Sequence, residues 1–150
     1  MDATTLPLGT IDPTLYLSNR THALTWLSAQ SLIAPLEITV YWGDQDANSH
    51  VSNVRYFNWL ENGRIGVLNH FHPAGGGGKS DGKGVGFILG KVGNTYVKPV
   101  FAPDHLLLGH MVAKVEEKKF EVKTLIWSFR YALLLHSSPP GLWTDGMMVE

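Results

Sequence analysis

A chain of 150 residues, 44% hydrophobic and 11% aromatic, has the size of one globular domain with its own core. Its 12 Lys and Arg against 13 Asp and Glu leave a formal charge of −1, which excludes the global basic field that nucleic acid or acidic lipid would call for. Cysteine is absent, so disulfides, thiolate metal sites and Cys nucleophiles are excluded together, and a reducing cytoplasmic compartment is the expected setting.

The first ten residues contain Asp2 and no Lys or Arg, unlike a signal or transit peptide, and no apolar run approaches the roughly 20 residues of a membrane span. In residues 15–36, Leu24, Trp26, Leu27, Leu32 and Ile33 fall at mixed three- and four-residue spacings. This predicts a short leading helix, with Thr21 as a candidate cap and Pro35 as its end. Residues 37–42 alternate Ile38, Val40 and Trp42 against Glu37, Thr39 and Tyr41, the period of a half-buried strand.

A short loop then carries Asp44, Asp46 and His50. Turning the chain needs no two carboxylates and a histidine, so polar groups concentrated between two apolar elements point to a site. From Val54 the residues Phe57, Leu60, Ile65, Val67, Leu68 and Phe71 return at helical spacing, predicting a helix of about four turns. It begins near Ser52 or Asn53, and Pro73 and the glycines at 75–78 end it.

Beyond residue 84 the pattern becomes strands at 85–97, 106–116, 119–131 and 142–149, with turns at 99–104, 117–118 and 137–141. Strand, long helix and consecutive antiparallel strands give an α+β fold: one domain over residues 1–150, its sheet wrapped around one long central helix, with residues 1–35 as an N-terminal extension. The last strand candidate is short and closely follows Pro139 and Pro140, so an abbreviated strand with a weak sheet edge is expected.

Two motifs do not carry chemistry. The glycine-rich stretch before Ser80 follows a helix, whereas a phosphate-binding loop follows a strand, and the first required glycine falls on Pro73. His70 and His72 have no third ligand at a zinc spacing, so no metal is expected.

The loop residues carry a family pattern. Asp44, Asp46, His50-Val51, Asn53 and Tyr56, followed by Glu61 and Arg64, resemble the hotdog-fold acyl-CoA thioesterases of the 4-hydroxybenzoyl-CoA thioesterase type. Their loop reads Asp-x-Asp-x-x-x-His-Val-x-Asn-x-x-Tyr. The resemblance spans roughly residues 36–132, with the sharp motif in 43–64, and departs from it at Ser52, where many members have Asn. It implies a single hotdog domain that hydrolyses an acyl- or aryl-CoA thioester and assembles as a homodimer or homotetramer, with each site built across the subunit interface. Coenzyme A is then part of the substrate, and no cofactor, nucleic acid or membrane span is implied.

Thioester hydrolysis needs a group that attacks or activates water and donors for the developing oxyanion. The resemblance makes Asp46 the catalytic carboxylate, as nucleophile or general base, and His50 a hydrogen-bonding partner of the substrate or of Asp46. A helix starting at Ser52 or Asn53 would offer unsatisfied N–H groups, with Asn53 as the candidate oxyanion donor. Without the resemblance, an Asp before a helix is ordinarily a cap and a lone His a hydrogen-bonded structural residue.

Asp44 is read as fixing the loop, and Glu61 and Arg64, three apart, as an ion pair on one helical face. Tyr56, Trp59, Phe87 and Ile88 are the candidate acyl-pocket residues, and such residues equally make a core. Lys79, Lys83, Lys91 and Lys98 are available for coenzyme A phosphates, although scattered lysines are ordinarily a solvated face. A hydratase on the same fold keeps its Asp and His five apart, whereas His50 lies four after Asp46 and six after Asp44. A carrier-protein thioesterase of a biosynthetic pathway, or an inactive acyl-binding or assembly domain, stays open.

Overall fold

The computed structural model describes residues 13–71, 87–96, 98–130, 133–134 and 143–149. Helix α1 (Pro13–Ala29) precedes strand β1 (Ile33–Val40), a 3-10 turn (Trp42–Asp44) and the long helix α2 (Asn53–Phe71). Strands β2 (Phe87–Val92), β3 (Asp104–Val115), β4 (Lys119–Ser128), β5 (Leu133–Leu134) and β6 (Trp143–Val149) follow, which is the expected α+β order. All pairs are antiparallel, in the order β1-β3-β4-β6-β2, with β5 beside β4.

The C-terminal strand is not an edge. Met147 of β6 pairs with Phe120 of β4 on one side and Leu89 of β2 on the other, so among the described strands β1 and β2 end the main order and the expectation of a weak edge at β6 is corrected. The glycine-rich stretch at 75–78, Lys79, Lys83, His72 and the prolines at 139–140 lie outside the described residues.

Helix α1 is longer than its apolar spacing predicts. It starts at Pro13, where proline's missing N–H costs nothing and its fixed φ suits the first turn. Thr21 is therefore inside the helix rather than its cap, and its hydroxyl donates to the Leu17 carbonyl at 3.0 Å. The helix ends at Ala29, ahead of Pro35, through a turn in which Leu32 N–H reaches the Leu27 carbonyl at 3.0 Å and Ser31 takes a left-handed φ of 56°. Pro35 lies within β1, where the register shifts between Ile33 and Leu36; a bulged edge strand tolerates a residue with no N–H to donate. The strand stops at Val40, and Trp42 is 79% exposed in the 3-10 turn.

The sheet is covered on both faces, and the Leu106-Leu107-Leu108 run is the sequence trace of it. Leu106 and Leu108 join Val40, Tyr56, Trp59, Leu60 and Ile126 in the core under α2. Leu107 turns the other way, with Trp127 and Phe129, against Ala23 and Leu27 of α1. Asn19 of α1 is buried and donates its side-chain N–H to the Phe129 carbonyl at 2.7 Å, and Arg20 pairs with Glu37 of β1 at 3.0 Å.

Two buried polar groups lie within this frame. His110 on β3 is fully buried, with Nδ1 2.9 Å from Thr124 Oγ1 and Nε2 without a partner among the described residues. Burial pushes its pKa down to about 4. Its ring fills the notch at Gly63 of α2, where an added Cβ would come within 2.3 Å of the ring carbon Cε1. Asp104, also fully buried, accepts from Ser128 Oγ at 2.6 Å and from the backbone N–H groups of His105 and Arg130 at 2.7 and 3.0 Å. Burial raises its pKa above the usual carboxylate range despite those bonds.

Candidate active site

Residues 44–53 form a loop tied down at both ends. Asp44 Oδ2 accepts from Tyr41 N–H at 2.8 Å, its Oδ1 meets Arg55 of α2 at 3.0 Å, and its carbonyl takes Ser52 N–H at 2.8 Å. Asp44 thus joins the end of β1 to the start of α2, the loop-fixing position read from the sequence. Between these ties the chain closes on itself: Asp46 N–H donates to the His50 carbonyl at 2.7 Å and Ser49, at a left-handed φ of 61°, donates its N–H to the Asp46 carbonyl at 3.0 Å.

The Asp46 side chain is exposed, and its Oδ1 accepts Asn48 N–H at 2.8 Å. This is an Asx turn, which leaves Oδ2 without a donor among the described residues and at the solvent face. Helix α2 begins at Asn53, and no described group accepts from the Asn53 N–H. A free first-turn N–H at the positive end of a 19-residue helix is suited to a developing anion.

The segment 98–103 runs back along this loop. Val51 N–H donates to the Val100 carbonyl at 2.9 Å, and Gln45 Oε1 accepts from Ala102 N–H at 2.9 Å. A cleft of about 310 Å³ opens between the segment and α2, lined by His50, Val51, Asn53, Tyr56, Tyr96, Lys98 and Pro99. Tyr56 meets Tyr96 edge to face at 5.1 Å between ring centroids, and His50 meets Phe101 at 4.9 Å.

The structure therefore brings His50, Asn53 and Tyr56 to one cleft, with Asp46 on the loop that enters it. The other acyl-pocket candidates lie elsewhere in the subunit. Trp59 stands behind Tyr56, 5.2 Å away and buried in the core. Phe87 lines an apolar hollow of about 270 Å³ with Leu68, Phe71, Val112, Val115 and Phe120, near the C-terminal end of α2. Ile88 is 48% exposed on the edge strand β2.

Glu61 faces solvent while Arg64 turns inward to 8% exposure; positions three apart lie about 60° from each other around a helix, so here one falls on the solvent side of the boundary and the other on the buried side. Tyr96 and Pro99 carry no sequence signal that would place them at this cleft, and Lys98 is one of several scattered lysines. Their place depends on a pairing between residues 51 and 100 that no local pattern announces. No group of three or more metal-ligating residues occurs among the described residues, and no helix described here is long and apolar enough to cross a membrane.

Comparison with known proteins places this arrangement. No curated protein matches the chain by sequence. Among solved structures, the chain is similar to a thioesterase candidate from Pseudomonas aeruginosa, at 22% identity over 79% of this chain and 82% of that one, with a TM-score of 0.57. It is similar to a thioesterase-superfamily protein from a Jannaschia species, at 19% identity over 85% and 74% with a TM-score of 0.61. It also resembles a DHNA-CoA thioesterase from Staphylococcus aureus, at 18% identity over 77% and 70% with a TM-score of 0.54. At these identities the likeness is one of fold, and the fold is the hotdog. The family model of the thioesterase-like superfamily matches residues 40–130. That span takes in the loop, α2, the returning segment and the central strands, and by it the chain belongs to the thioesterase-like superfamily, a family of thioester hydrolases.

Proposed function

We propose that the protein hydrolyses an acyl- or aryl-CoA thioester to the free acid and thiol, at the cleft where α2 begins. The observation that carries this reading is that Asn53, whose N–H has no acceptor among the described residues, lines one cleft with His50 and Tyr56. A thioester carbonyl oxygen seated at that N–H gains charge as the tetrahedral intermediate forms, and a preorganised donor at a helix start stabilises it. Asp46, exposed and with Oδ2 left over from the Asn48 contact, supplies the attack, either directly through an anhydride or by taking a proton from water. His50 orients the substrate from the cleft wall.

The working unit is a homodimer or a higher homo-oligomer, in which a second subunit completes the acyl pocket. Hydrolysis of a panel of acyl- and aryl-CoA thioesters, followed by free-thiol release, tests the reading. Asp46→Asn keeps an oxygen for the Asn48 N–H and loses the charge, so turnover is expected to fall by 100-fold or more, on the order of a lost catalytic base. Wild-type rates in the folded variant would refute the role of Asp46, and light scattering that found an active monomer would refute the shared pocket.

A further inference from the structure

Lys98 is the cation that lines the cleft among the described residues, beside His50 and Asn53, and no described carboxylate lies within ion-pair distance of it. A free cation on the wall of a small cleft calls for an anion in the ligand. Two parts of a coenzyme A thioester could supply it, the phosphates or a charged acyl group.

Reach separates them. The cleft of about 310 Å³ has the volume of a sphere about 8 Å across. With the carbonyl oxygen at Asn53 N–H, the acyl group and the thiol arm leave in opposite directions. An extended pantetheine arm places the diphosphate roughly 16 Å beyond the sulfur, from standard bond lengths. The phosphates thus fall outside the space that Lys98 shares with the carbonyl, and a carboxylate a few methylenes along the acyl chain falls inside it. The two tyrosine rings, 5.1 Å apart, give the methylenes an apolar wall.

We propose that Lys98 binds a carboxylate at the far end of a short acyl chain, which makes dicarboxylic monothioesters such as glutaryl-CoA the preferred substrate class. The assignment rests on the thioesterase reading of the same cleft. It also resolves a conflict of charge: Asp46, on the loop that enters the cleft, would repel an anionic acyl group, and the Lys98 cation lining the cleft offsets that repulsion.

The test uses the full chain and non-hydrolysable analogues of glutaryl- and pentanoyl-CoA in which a methylene replaces the sulfur, titrated calorimetrically into wild type and Lys98→Gln. Wild type is expected to bind the glutaryl analogue about fivefold more tightly, equivalent to about 1 kcal/mol for a partly exposed ion pair. In Lys98→Gln the ratio is expected to fall to about 1 or below. The same pair built on pantetheine, which lacks the phosphates, is expected to keep the wild-type ratio.

A wild-type ratio of 1 or less, a ratio unchanged by the substitution, or no binding of either analogue overturns the assignment. So does a loss in Lys98→Gln that is equal for both acyl groups and vanishes on pantetheine, because that pattern marks a phosphate contact. Turnover of the two true thioesters, run in parallel, reports on the hydrolase reading separately: no turnover alongside an intact binding ratio sinks hydrolysis and leaves the role of Lys98 standing.

Discussion

Gly63→Ala is the sharpest mechanical probe of how α2 is seated. In an open helix position the exchange stabilises by about 1 kcal/mol, because alanine loses less backbone freedom on folding. At Gly63 the new Cβ would stand 2.3 Å from His110 Cε1, more than 1 Å inside normal contact. The ring cannot swing away cheaply, being fully buried and held at Nδ1 by Thr124. Overpacking of this kind costs about 1–3 kcal/mol.

Gly66→Ala supplies the control, since three residues along the same helix its Cβ would meet only Ala34 Cβ at 3.7 Å. Urea unfolding is therefore expected to show Gly66→Ala at or above wild-type stability and Gly63→Ala below it by about 1–3 kcal/mol, a difference of at least 2–4 °C in melting temperature. Equal midpoints with equal m values for the two variants would refute the claim that the buried His110 ring fills the notch at Gly63.

The same histidine makes stability depend on pH. Its folded pKa of about 4 lies below the unfolded value near 6.5, so the unfolded state binds more protons between the two. Stability is then full above about pH 6.5 and falls by about 3 kcal/mol as the pH drops to about 4; denaturation in that window should lose much of this slope in His110→Gln. Asp104 works in the opposite sense, its raised pKa making the fold less stable as the pH rises through it.

Asp104→Asn keeps Oδ1 for the His105 and Arg130 N–H groups and turns an N–H toward Ser128 Oγ. Thermal unfolding at pH 7 should find it no less stable than wild type, while Asp104→Ala strands two N–H donors and should cost about 2–4 kcal/mol. Asp44→Ala releases both Tyr41 N–H and Arg55, and activity assays should show a loss in kcat with little change in melting temperature.

The loop and α2 were legible because their signals are local. Asp44, Asp46, His50 and Asn53 stand in a fixed spacing, and the apolar period from Val54 to Phe71 matches the helix that forms. Strands β3 and β4 announce themselves through the leucine run and the charged turn between them. What was not legible depends on contacts distant in sequence. Thr21 has the chemistry of a cap, and only packing of Ala23 and Leu27 against Trp127 and Phe129 carries the helix through it. Trp59 and Phe87 look alike as aromatic wall residues. The one lies in the core under α2 with Leu106 and Leu108, and the other lines the hollow with Leu68 and Phe71 near the end of α2, a division set by partners distant in sequence. Tyr96 and Lys98 reach the cleft only through the pairing of Val51 with Val100.

The placement of β6 between β4 and β2 has a consequence for how the molecule comes together. Strand β2 emerges from synthesis well before β6, yet among the described residues its strand pairing is with β6, with Phe87 opposite Val149 at one end and Val92 opposite Asp145 at the other. Until β6 arrives, β2 is an orphan strand with apolar Ile88 and Leu89 and two unfilled edges, the kind of segment that aggregates or recruits a chaperone. Such late, long-range closure is slow. Strand β6 is thus the keystone of the ladder, and removing it would take two strands from the sheet.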